Sequence, residues 1–246
     1  MNLILVHTAE LDDENHCVLS GERARHIREV LKAGPGQSVR IGLLNGPFGS
    51  GTVERVDPHA VVLNCVFEQK IPPKPRIDLL LAMPRPKVMK RLWAQLSALG
   101  IGRIVLLRAD KVERYYFDSH VIEPEFYRKL LFEGLQQARC THCPEVMVRP
   151  LFKPFVEDEL DPLFSNHLRL LADPSGTERL GSLLASSNMT DRVLLAIGPE
   201  GGWTPYELKL LLNHGFQLFG MGRRILRSDT AAIGLISMLA EFLQQD

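Results

Sequence analysis

Short apolar runs alternate with amphipathic helical patterns over the C-terminal two-thirds of the chain. The runs predict strands at 77–82, 104–107, 168–172, 193–197 and 216–221. Apolar positions three and four residues apart predict helices at 88–99 and 126–137, a third ending near Ala185, a fourth opened by Thr204–Glu207, and a fifth at 230–243. Strands that alternate with helices indicate an α/β fold with a parallel sheet, which binds ligands at the carboxyl ends of its strands.

The last predicted helix, 230–243, is apolar nearly all round. A helix without a polar face must be buried on several sides. We therefore expect it to form a subunit interface, and the alternative is a central helix within one subunit.

The first 70 residues follow a different pattern and predict a small β-rich domain. The predicted elements are strands at 3–6, 39–44, 52–56 and 61–67, a turn at 45–51, and one short helix at 21–31. Several short strands with one helix suggest a compact barrel. The prolines at 72, 73 and 75 make 71–76 a linker, and 77–246 the second domain.

Charge is distributed unevenly although the 246 residues carry a net charge of zero. Residues 71–115 contain ten Lys or Arg against three Asp or Glu, a net charge of +7. A localised basic segment favours a directed contact with a polyanion such as RNA, and a solvated helix face is the alternative. We expect Lys87, Lys90 and Arg91 to bind phosphates.

Several classes of protein are disfavoured by the sequence. No apolar run approaches the roughly 20 residues of a membrane span, and the N-terminal residues do not resemble a signal peptide. Neither a dinucleotide-binding G-x-G-x-x-G nor a P-loop is present at the expected place. Cys140-x-x-Cys143 is only half of a zinc pattern, so we expect no metal; with Cys17 and Cys65, these cysteines read as reduced thiols of a cytosolic protein.

Two glycine-bearing loops each follow a predicted strand and lead into a helix. Glycine lets the main chain approach a small molecule closely, although residues 198–202 taken alone also suit a tight turn. The second loop contains Arg223, Arg224 and Arg227, followed by Asp229. Arginines beside a buried helix need partners such as a carboxylate, a phosphate or a substrate carbonyl.

The segments LAIGPEGGW (195–203) and MGRRILRSDTA (221–231) together resemble the ribosomal RNA uridine-N3 methyltransferases of the SPOUT superfamily. The resemblance extends more weakly to residues 21–32, which are similar to part of that family's PUA-like barrel, and to residues 98–101. The chain departs from the family pattern at Gln95, Ala98 and Cys140, and Asp229 stands where Glu is usual.

This resemblance implies a C-terminal domain with a deep trefoil knot, a PUA-like β-barrel in front of it, and a homodimer. It implies S-adenosylmethionine as cofactor, ribosomal RNA of the small subunit as substrate, and a cytoplasmic enzyme. The expected RNA contacts further include Arg85 in the basic segment, and Arg25 and Lys32 in the β-rich domain. The implied cofactor residues are Leu171, Ala172, Ile197, Gly198, Pro199, Glu200, Gly201, Gly202, Met221, Gly222, Ile225, Leu226, Thr230 and Ala231.

For catalysis we expect Arg227, or Arg224 in its place, to stabilise charge on the uridine carbonyls. Glu200 and Asp229 are candidates for a base or for orienting those arginines, while Asp229 as a cap of the last helix is the alternative. Two other functions stay open: a ribose 2′-O-methyltransferase of the same superfamily, and a non-catalytic RNA-binding or assembly factor.

Overall fold

The computed structural model describes residues 3–185 and 192–243 of the chain, so the predicted domain limits at residues 1 and 246 lie outside the described residues. The chain divides into two compact units. The smaller unit comprises Met1–Lys74 together with Phe132–Cys143, and the larger comprises Pro75–Leu131 together with Pro144–Asp246.

The smaller unit is built on a five-stranded sheet with the order β1-β3-β4-β5-β2. Its strands are β1 (Ile4–Val6), β2 (His16–Ser20), β3 (Ser38–Leu43), β4 (Phe48–Val56) and β5 (Ala60–Phe67). The β1–β3 pair is parallel, and the other three pairs are antiparallel. Alternate residues of these strands are buried, and together with Ala24 and Ile27 they form the core of the unit.

One helical segment packs on this sheet, and it begins as α1 (Gly21–Arg25) and continues as a π-helical stretch (His26–Leu31). A short 3₁₀ turn, Thr8–Glu10, precedes β2. Arg23 of α1 donates to both carboxylate oxygens of Glu10, at 2.5 and 2.9 Å, and to the carbonyl of Leu5 at 2.9 Å. These bonds join the helix to β1 and to the 3₁₀ turn.

The structure differs from the sequence-based prediction at two places in this unit. Strand β2 was not predicted, because a single five-residue strand between polar segments has too few alternating positions to stand out. The predicted turn at 45–51 is too long, since β4 already begins at Phe48 and only the residues before it turn. Residues 68–76 have neither helix nor strand, in agreement with the proline-rich sequence.

The larger unit contains a six-stranded sheet in which every pair is parallel, with the order β11-β9-β10-β6-β7-β8. This arrangement confirms the predicted α/β fold. The strands are β6 (Ile77–Ala82), β7 (Ile101–Leu107), β8 (Glu145–Arg149), β9 (His167–Ala172), β10 (Arg192–Ile197) and β11 (Gln217–Phe219). Strand β8 was not predicted, and β11 is shorter than predicted.

The helices of the larger unit flank this sheet. They are α2 (Pro86–Ala98), α3 (Pro124–Ala138, whose last residues belong to the smaller unit), α4 (Phe152–Pro154), a π-helical stretch (Phe155–Glu159), α5 (Leu160–Leu163), α6 (Leu180–Ala185), α7 (Pro205–Asn213) and α8 (Ser228–Leu243). Two 3₁₀ turns lie at Arg114–Asp118 and His120–Ile122. Helix α8 packs against α2, β6 and β10.

A buried ion network ties the amino ends of three central strands together. Asp78 of β6 is fully buried, and its carboxylate lies 2.8 Å from His167 Nε2 of β9 and 2.9 Å from a terminal nitrogen of Arg192 of β10. A buried carboxylate needs such partners, because an unpaired charge in the core would be costly. In parallel α/β sheets, ligands bind at the opposite, carboxyl ends of the strands.

Within the single chain, one face of helix α8 is buried and another is exposed to solvent. Ala232, Leu235, Ile236 and Leu239 are buried, whereas Met238 and Phe242 are exposed. The prediction that this apolar helix is buried on several sides therefore holds for only part of its surface in the single chain. Among the described residues, no helix is both long and apolar enough to cross a membrane.

Candidate functional site

The loops after β9, β10 and β11 line one cavity of about 240 Å³ at the carboxyl edge of the large sheet. This is the edge at which a parallel α/β sheet binds its ligand. The cavity is lined by Ala172, Asp173, Pro174, Ile197, Gly198, Pro199, Glu200, Gly201, Gly202, Met221, Gly222, Arg224, Ile225, Leu226, Ser228 and Ala231.

The loop after β10 is fixed where it enters α7. Thr204 is the N-cap of that helix, and its side chain and the Glu207 carboxylate form a reciprocal capping box, as the sequence predicted. Glu207 is buried, and its other oxygen accepts a hydrogen bond of 2.7 Å from the backbone of Asp110. Lys111 donates to the carbonyl of Gly201 at 2.7 Å. The segment after β7 thus holds the loop at two points.

Two glycines of this loop are needed for different reasons. A Cβ atom on Gly198 would lie 2.8 Å from Nε1 of Trp203, whose ring is buried beneath the loop. Gly202 has a φ of +70°, in the left-handed region that other residues adopt only with strain. The close approach and the turn together shape the cavity wall.

The loops after β9 and β11 cross at backbone distance. A Cβ atom on Gly176 would lie 2.3 Å from the carbonyl carbon of Phe219, and one on Gly220 would lie 2.4 Å from the carbonyl oxygen of Gly176. Hydrogen bonds of 3.1 Å from Asp173 N to Phe219 O and from Gly220 N to Glu178 O join the two loops. Only glycine permits this crossing, which sets the position of residues 221–226.

Ser228, the first residue of α8, is a cavity residue that the sequence analysis missed. It is 5% exposed, and its hydroxyl has no hydrogen-bond partner among the described residues. A buried hydroxyl without a partner costs free energy, so it marks a place where a bound molecule would supply one. The sequence signal for Ser228 was its position between Arg227 and Asp229. A serine at the start of a helix is also a common N-cap, so this signal does not separate a cavity residue from a structural one.

Twelve of the fourteen residues expected to hold the cofactor line this cavity. The other two do not: Leu171 is fully buried in β9, and Thr230 lies in the first turn of α8. Arg224, expected to act in catalysis, lines the cavity as well, and so do Asp173 and Pro174.

A basic cleft, formed by Arg85, Lys87, Val88, Arg91, Glu200, Ile225, Leu226 and Arg227, adjoins the cavity. Glu200, Ile225 and Leu226 line both spaces. The cleft therefore brings together residues from the segments after β6, β10 and β11. It contains Arg227, the expected stabilising group, and three of the expected RNA-binding residues.

Ion pairs link the acidic candidates to arginines of this cleft. Glu200 lies 3.3 Å from Nε of Arg85. Asp229 lies 3.5 Å from Arg91 and 3.4 Å from Arg227. Asp229 is inside the first turn of α8, where its carboxylate accepts from the backbone of Thr230, so it is not the N-cap. Asp229 thus pairs with the expected stabilising arginine, Arg227, whereas Glu200 pairs with Arg85 and with neither Arg224 nor Arg227 among the ion pairs of the described residues.

The remaining basic candidates lie outside the cleft lining. Lys90 is on α2, with its amino group 5.8 Å from the centre of the Phe126 ring. In the smaller unit, Arg25 pairs with Glu22 at 2.8 Å, and Lys32 lies just after the π-helical stretch. The structure therefore groups Arg85, Lys87 and Arg91 but does not place Lys90 with them.

No group of three His, Cys, Asp or Glu within residues 3–185 and 192–243 is arranged to hold a metal ion. Burial raises the pKa of the Cys17 thiol to about 11 and that of Cys65 to about 12. Burial also raises the pKa of Cys140. These thiols are chemically quiet at neutral pH.

Comparison with known proteins identifies a family and several relatives that match most of this chain. The family model described as RNA methyltransferase domain matches residues 72–240. The chain is 33% identical over 241 residues to ribosomal RNA small subunit methyltransferase E of Treponema pallidum, covering 94% of this chain and 88% of the relative. It is 29% identical to the protein of the same name from Synechocystis, covering 98% and 78%.

Solved structures match the fold over nearly the whole chain. A methyltransferase of Legionella pneumophila with bound SAM matches with a TM-score of 0.76 at 21% identity, covering 98% of both chains. A ribosomal RNA small subunit methyltransferase E of Neisseria gonorrhoeae, bound to S-adenosyl methionine, matches with a TM-score of 0.78 at 18% identity, covering 97% of both. At these identities, the likeness establishes the α/β fold and its parallel sheet.

Proposed function

The chain belongs to the RNA methyltransferase family, and from this we propose that it methylates N3 of a uridine in small-subunit ribosomal RNA, with S-adenosylmethionine as methyl donor. One observation carries the proposal. The glycine-lined cavity and the basic cleft share Glu200, Ile225 and Leu226, so a small donor and a polyanion would meet there.

The cavity suits the cofactor chemically. Ile197, Leu226 and Ala231 offer apolar surface for an adenine ring, and the glycines of the 198–202 loop expose backbone groups for its polar edges. The Ser228 hydroxyl, which has no partner in the described part of the chain, supplies a further hydrogen-bonding group inside the cavity. We therefore assign cofactor binding to the twelve expected lining residues, with Ser228 added and with Leu171 and Thr230 acting through the backbone beside them.

S-adenosylmethionine supplies a sulfonium methyl group that is electrophilic without a metal. The task of the protein is to align uridine N3 with that methyl group and to manage the N3 proton, which leaves as the new N–CH₃ bond forms. We assign to Arg227 the stabilisation of negative charge on a flanking uridine carbonyl, with Arg224 at the cavity wall as its substitute. Asp229 positions Arg227 through their ion pair.

We assign RNA binding to the cleft residues Arg85, Lys87 and Arg91, assisted by Lys90 on α2. We propose that residues 1–70 of the smaller unit form an RNA-binding domain, to which Arg25 and Lys32 contribute. Phosphate contacts of this kind release counterions, so affinity should fall steeply with salt. An affinity for small ribosomal subunits that does not change with salt would contradict this assignment.

We also propose a deep trefoil knot in the domain of residues 77–246, a PUA-like barrel in the smaller unit, a homodimer, and a cytoplasmic location, where ribosomal RNA is found. The backbone crossing at Gly176 and Gly220 supports the knot, because α8 returns from the edge strand β11 to pack on β10 and β6. The exposed Met238 and Phe242 of α8 support a partner subunit on that face.

Methyl transfer from labelled S-adenosylmethionine to unmodified small ribosomal subunits tests the proposal, followed by nuclease digestion and mass spectrometry of the nucleosides. We expect N3-methyluridine. A mass increase on the ribose would identify a 2′-O-methyltransferase instead. Failure to bind S-adenosylmethionine at all would favour a non-catalytic RNA-binding factor.

A further inference from the structure

Asp229 shares one carboxylate oxygen between two arginines. Its Oδ2 atom lies 3.5 Å from a terminal nitrogen of Arg91 and 3.4 Å from a terminal nitrogen of Arg227. Its Oδ1 atom accepts a hydrogen bond of 2.9 Å from the backbone N–H of Thr230. A carboxylate that serves a single arginine forms shorter bonds, of about 2.7–2.9 Å. Neither arginine therefore has the full bond that Asp229 could form with one of them alone.

The carboxylate is the fixed member of this group, and the two arginines are the movable members. Asp229 lies in the first turn of α8, its side chain is 17% exposed, and the bond from Thr230 holds it. The side chains of Arg91 and Arg227 are 60% and 64% exposed. Ion pairs of such exposed side chains contribute little free energy, because water screens them and the long side chains lose freedom. Arg91 can therefore leave Asp229 at small cost.

RNA in the basic cleft would provide a better partner for Arg91. Arg91 and Lys87 both line the cleft, and they are four residues apart on α2 and therefore on the same face. A phosphate at this face can bind both cations, and its oxygens accept two parallel bonds from one guanidinium. Asp229 lies outside the cleft lining and presents only the shared Oδ2 atom to Arg91.

We infer that RNA binding moves Arg91 from Asp229 to a phosphate and leaves Oδ2 of Asp229 to Arg227 alone. Arg227, to which we assign charge stabilisation at the uridine, is then held in place only while RNA occupies the cleft. Arg91 is thus a positioning residue that acts on Arg227 through Asp229, in addition to binding the RNA backbone. This inference rests on the proposed function.

The first test measures RNA affinity in a double-mutant cycle of Arg91→Ala and Asp229→Asn. Asparagine keeps an oxygen for the N–H of Thr230 but loses the charge that competes with phosphate for Arg91. We expect Asp229→Asn alone to tighten binding to unmodified small ribosomal subunits by roughly 2- to 5-fold, the strength of an exposed ion pair. Most of this gain should disappear in the Arg91→Ala background, because no arginine remains there to be released. Binding is measured by filter retention, which needs no methyl transfer.

The second test measures the single-turnover rate of methyl transfer at saturating RNA and S-adenosylmethionine. Asp229→Asn should lower this rate by up to about 100-fold, the cost of misplacing a catalytic group, although it binds RNA more tightly. Since Asp229 acts through Arg227, the same change should lower the rate no further in an Arg227→Ala background. Asp229→Glu keeps the charge and should retain most of the rate.

Lys153→Ala and Glu157→Gln form the matched control cycle. Lys153 is 60% exposed, as Arg91 is, and it pairs with Glu157 at 3.8 Å outside the cleft lining. Neither control change should alter RNA affinity or the rate, and the melting temperature of every variant should stay close to that of the wild type.

An equal gain in affinity from Asp229→Asn with and without Arg91 would overturn the inference, because it would show general repulsion between the carboxylate and RNA. Weaker RNA binding together with a lower rate in Asp229→Asn would overturn it as well. The affinity cycle decides the exchange even if bound RNA is not methylated, a result that would contradict only the proposed function. Wild-type protein that does not bind RNA would overturn both.

Discussion

The Glu200 carboxylate lies 3.3 Å from Nε of Arg85, and this ion pair joins the cavity loop after β10 to the segment after β6. Glu200 lines both the cavity and the basic cleft. Its carboxylate is therefore occupied by an arginine of the cleft before any substrate arrives. This arrangement favours a positioning role for Glu200 over that of a general base.

Glu200→Gln distinguishes the two roles. The amide keeps the shape of the side chain and an oxygen that can face Arg85, so we expect kcat for methyl transfer to stay within about tenfold of wild type. A general base contributes about 100- to 10,000-fold, so its removal would be unmistakable. The measurement is single-turnover methylation of small ribosomal subunits across a range of pH. A loss of more than about 100-fold with an altered pH profile would restore the base role.

Arg227→Ala should abolish most of the catalysis and leave the cofactor site intact. Arg227 belongs to the cleft, is absent from the cavity lining, and pairs with Asp229. Removing one charge-stabilising donor typically lowers kcat by about 100- to 1,000-fold. S-adenosylmethionine affinity, measured by calorimetry, should stay within about twofold. A large loss of cofactor affinity would contradict the assignment of Arg227. Arg224, which lines the cavity, would then be the better candidate for the stabilising group.

Gly198→Ala should damage the cavity loop more than Gly201→Ala. The new Cβ at 198 would meet Trp203 Nε1 at 2.8 Å, and that ring is buried and packed against Phe152. At 201 the nearest atom, at 2.9 Å, is Cδ of Lys111, an exposed side chain that can shift more easily than a buried ring. We expect cofactor affinity to fall at least about tenfold in the first variant, since overpacking costs about 1–3 kcal/mol, and to change little in the second. Similar losses in both would show that loop flexibility matters more than the contact with Trp203.

The parts of the fold that the sequence predicted are those encoded locally. Strands β6 and β10 are continuous apolar runs buried along their length, and the Thr204–Glu207 capping box is a four-residue signal. Strand β8 escaped prediction because it lies at the edge of the sheet, is half-buried, and begins and ends with charged residues. The periodicity of such an edge strand is too weak to separate it from a loop.

In the site, too, the features encoded by short local motifs were predictable and the long-range contacts were not. The two glycine loops and their arginines are short motifs, so their residues could be named from the sequence alone. The contacts that fix them could not: Lys111 reaches Gly201 across 90 positions of the chain, and Arg91 reaches Asp229 across 138. That Ser228 is buried, with no hydrogen-bond partner for its hydroxyl among the described residues, likewise follows only from the folded chain.

Ser228→Ala should weaken cofactor binding, and Ser237→Ala should not. Both serines are on α8, but the Ser237 hydroxyl is exposed and already donates to the carbonyl of Ile233 at 2.9 Å. The Ser228 hydroxyl is buried and has no partner among the described residues, so a bound ligand would satisfy it. Loss of one neutral hydrogen bond predicts a rise of roughly 2- to 10-fold in Kd for S-adenosylmethionine. Unchanged affinity in Ser228→Ala, with unchanged or higher melting temperature, would show that the hydroxyl does not contact the cofactor.

Stability of the smaller unit should depend on pH through the Glu10–Arg23 pair. The hydrogen bond from Arg23 holds the pKa of Glu10 below its usual value of 4.5, and a backbone bond from His7 acts in the same direction. Because the folded-state pKa is the lower one, the pair stabilises the folded chain above about pH 4.5, and this contribution is lost as pH falls through the folded-state value.

Glu10→Gln measures this contribution by chemical denaturation at about pH 7 and about pH 3. We expect the variant to unfold more easily than wild type at neutral pH, and the difference between the two proteins to shrink at the acidic value. Glu22→Gln is the control, since Glu22 is highly exposed in its pair with Arg25 and exposed pairs contribute little. If Glu10→Gln were less stable than wild type by the same amount at both pH values, the loss would come from packing and not from the ion pair. Acid protonates the Glu10 carboxylate in the wild type, so an effect of its charge must shrink at low pH.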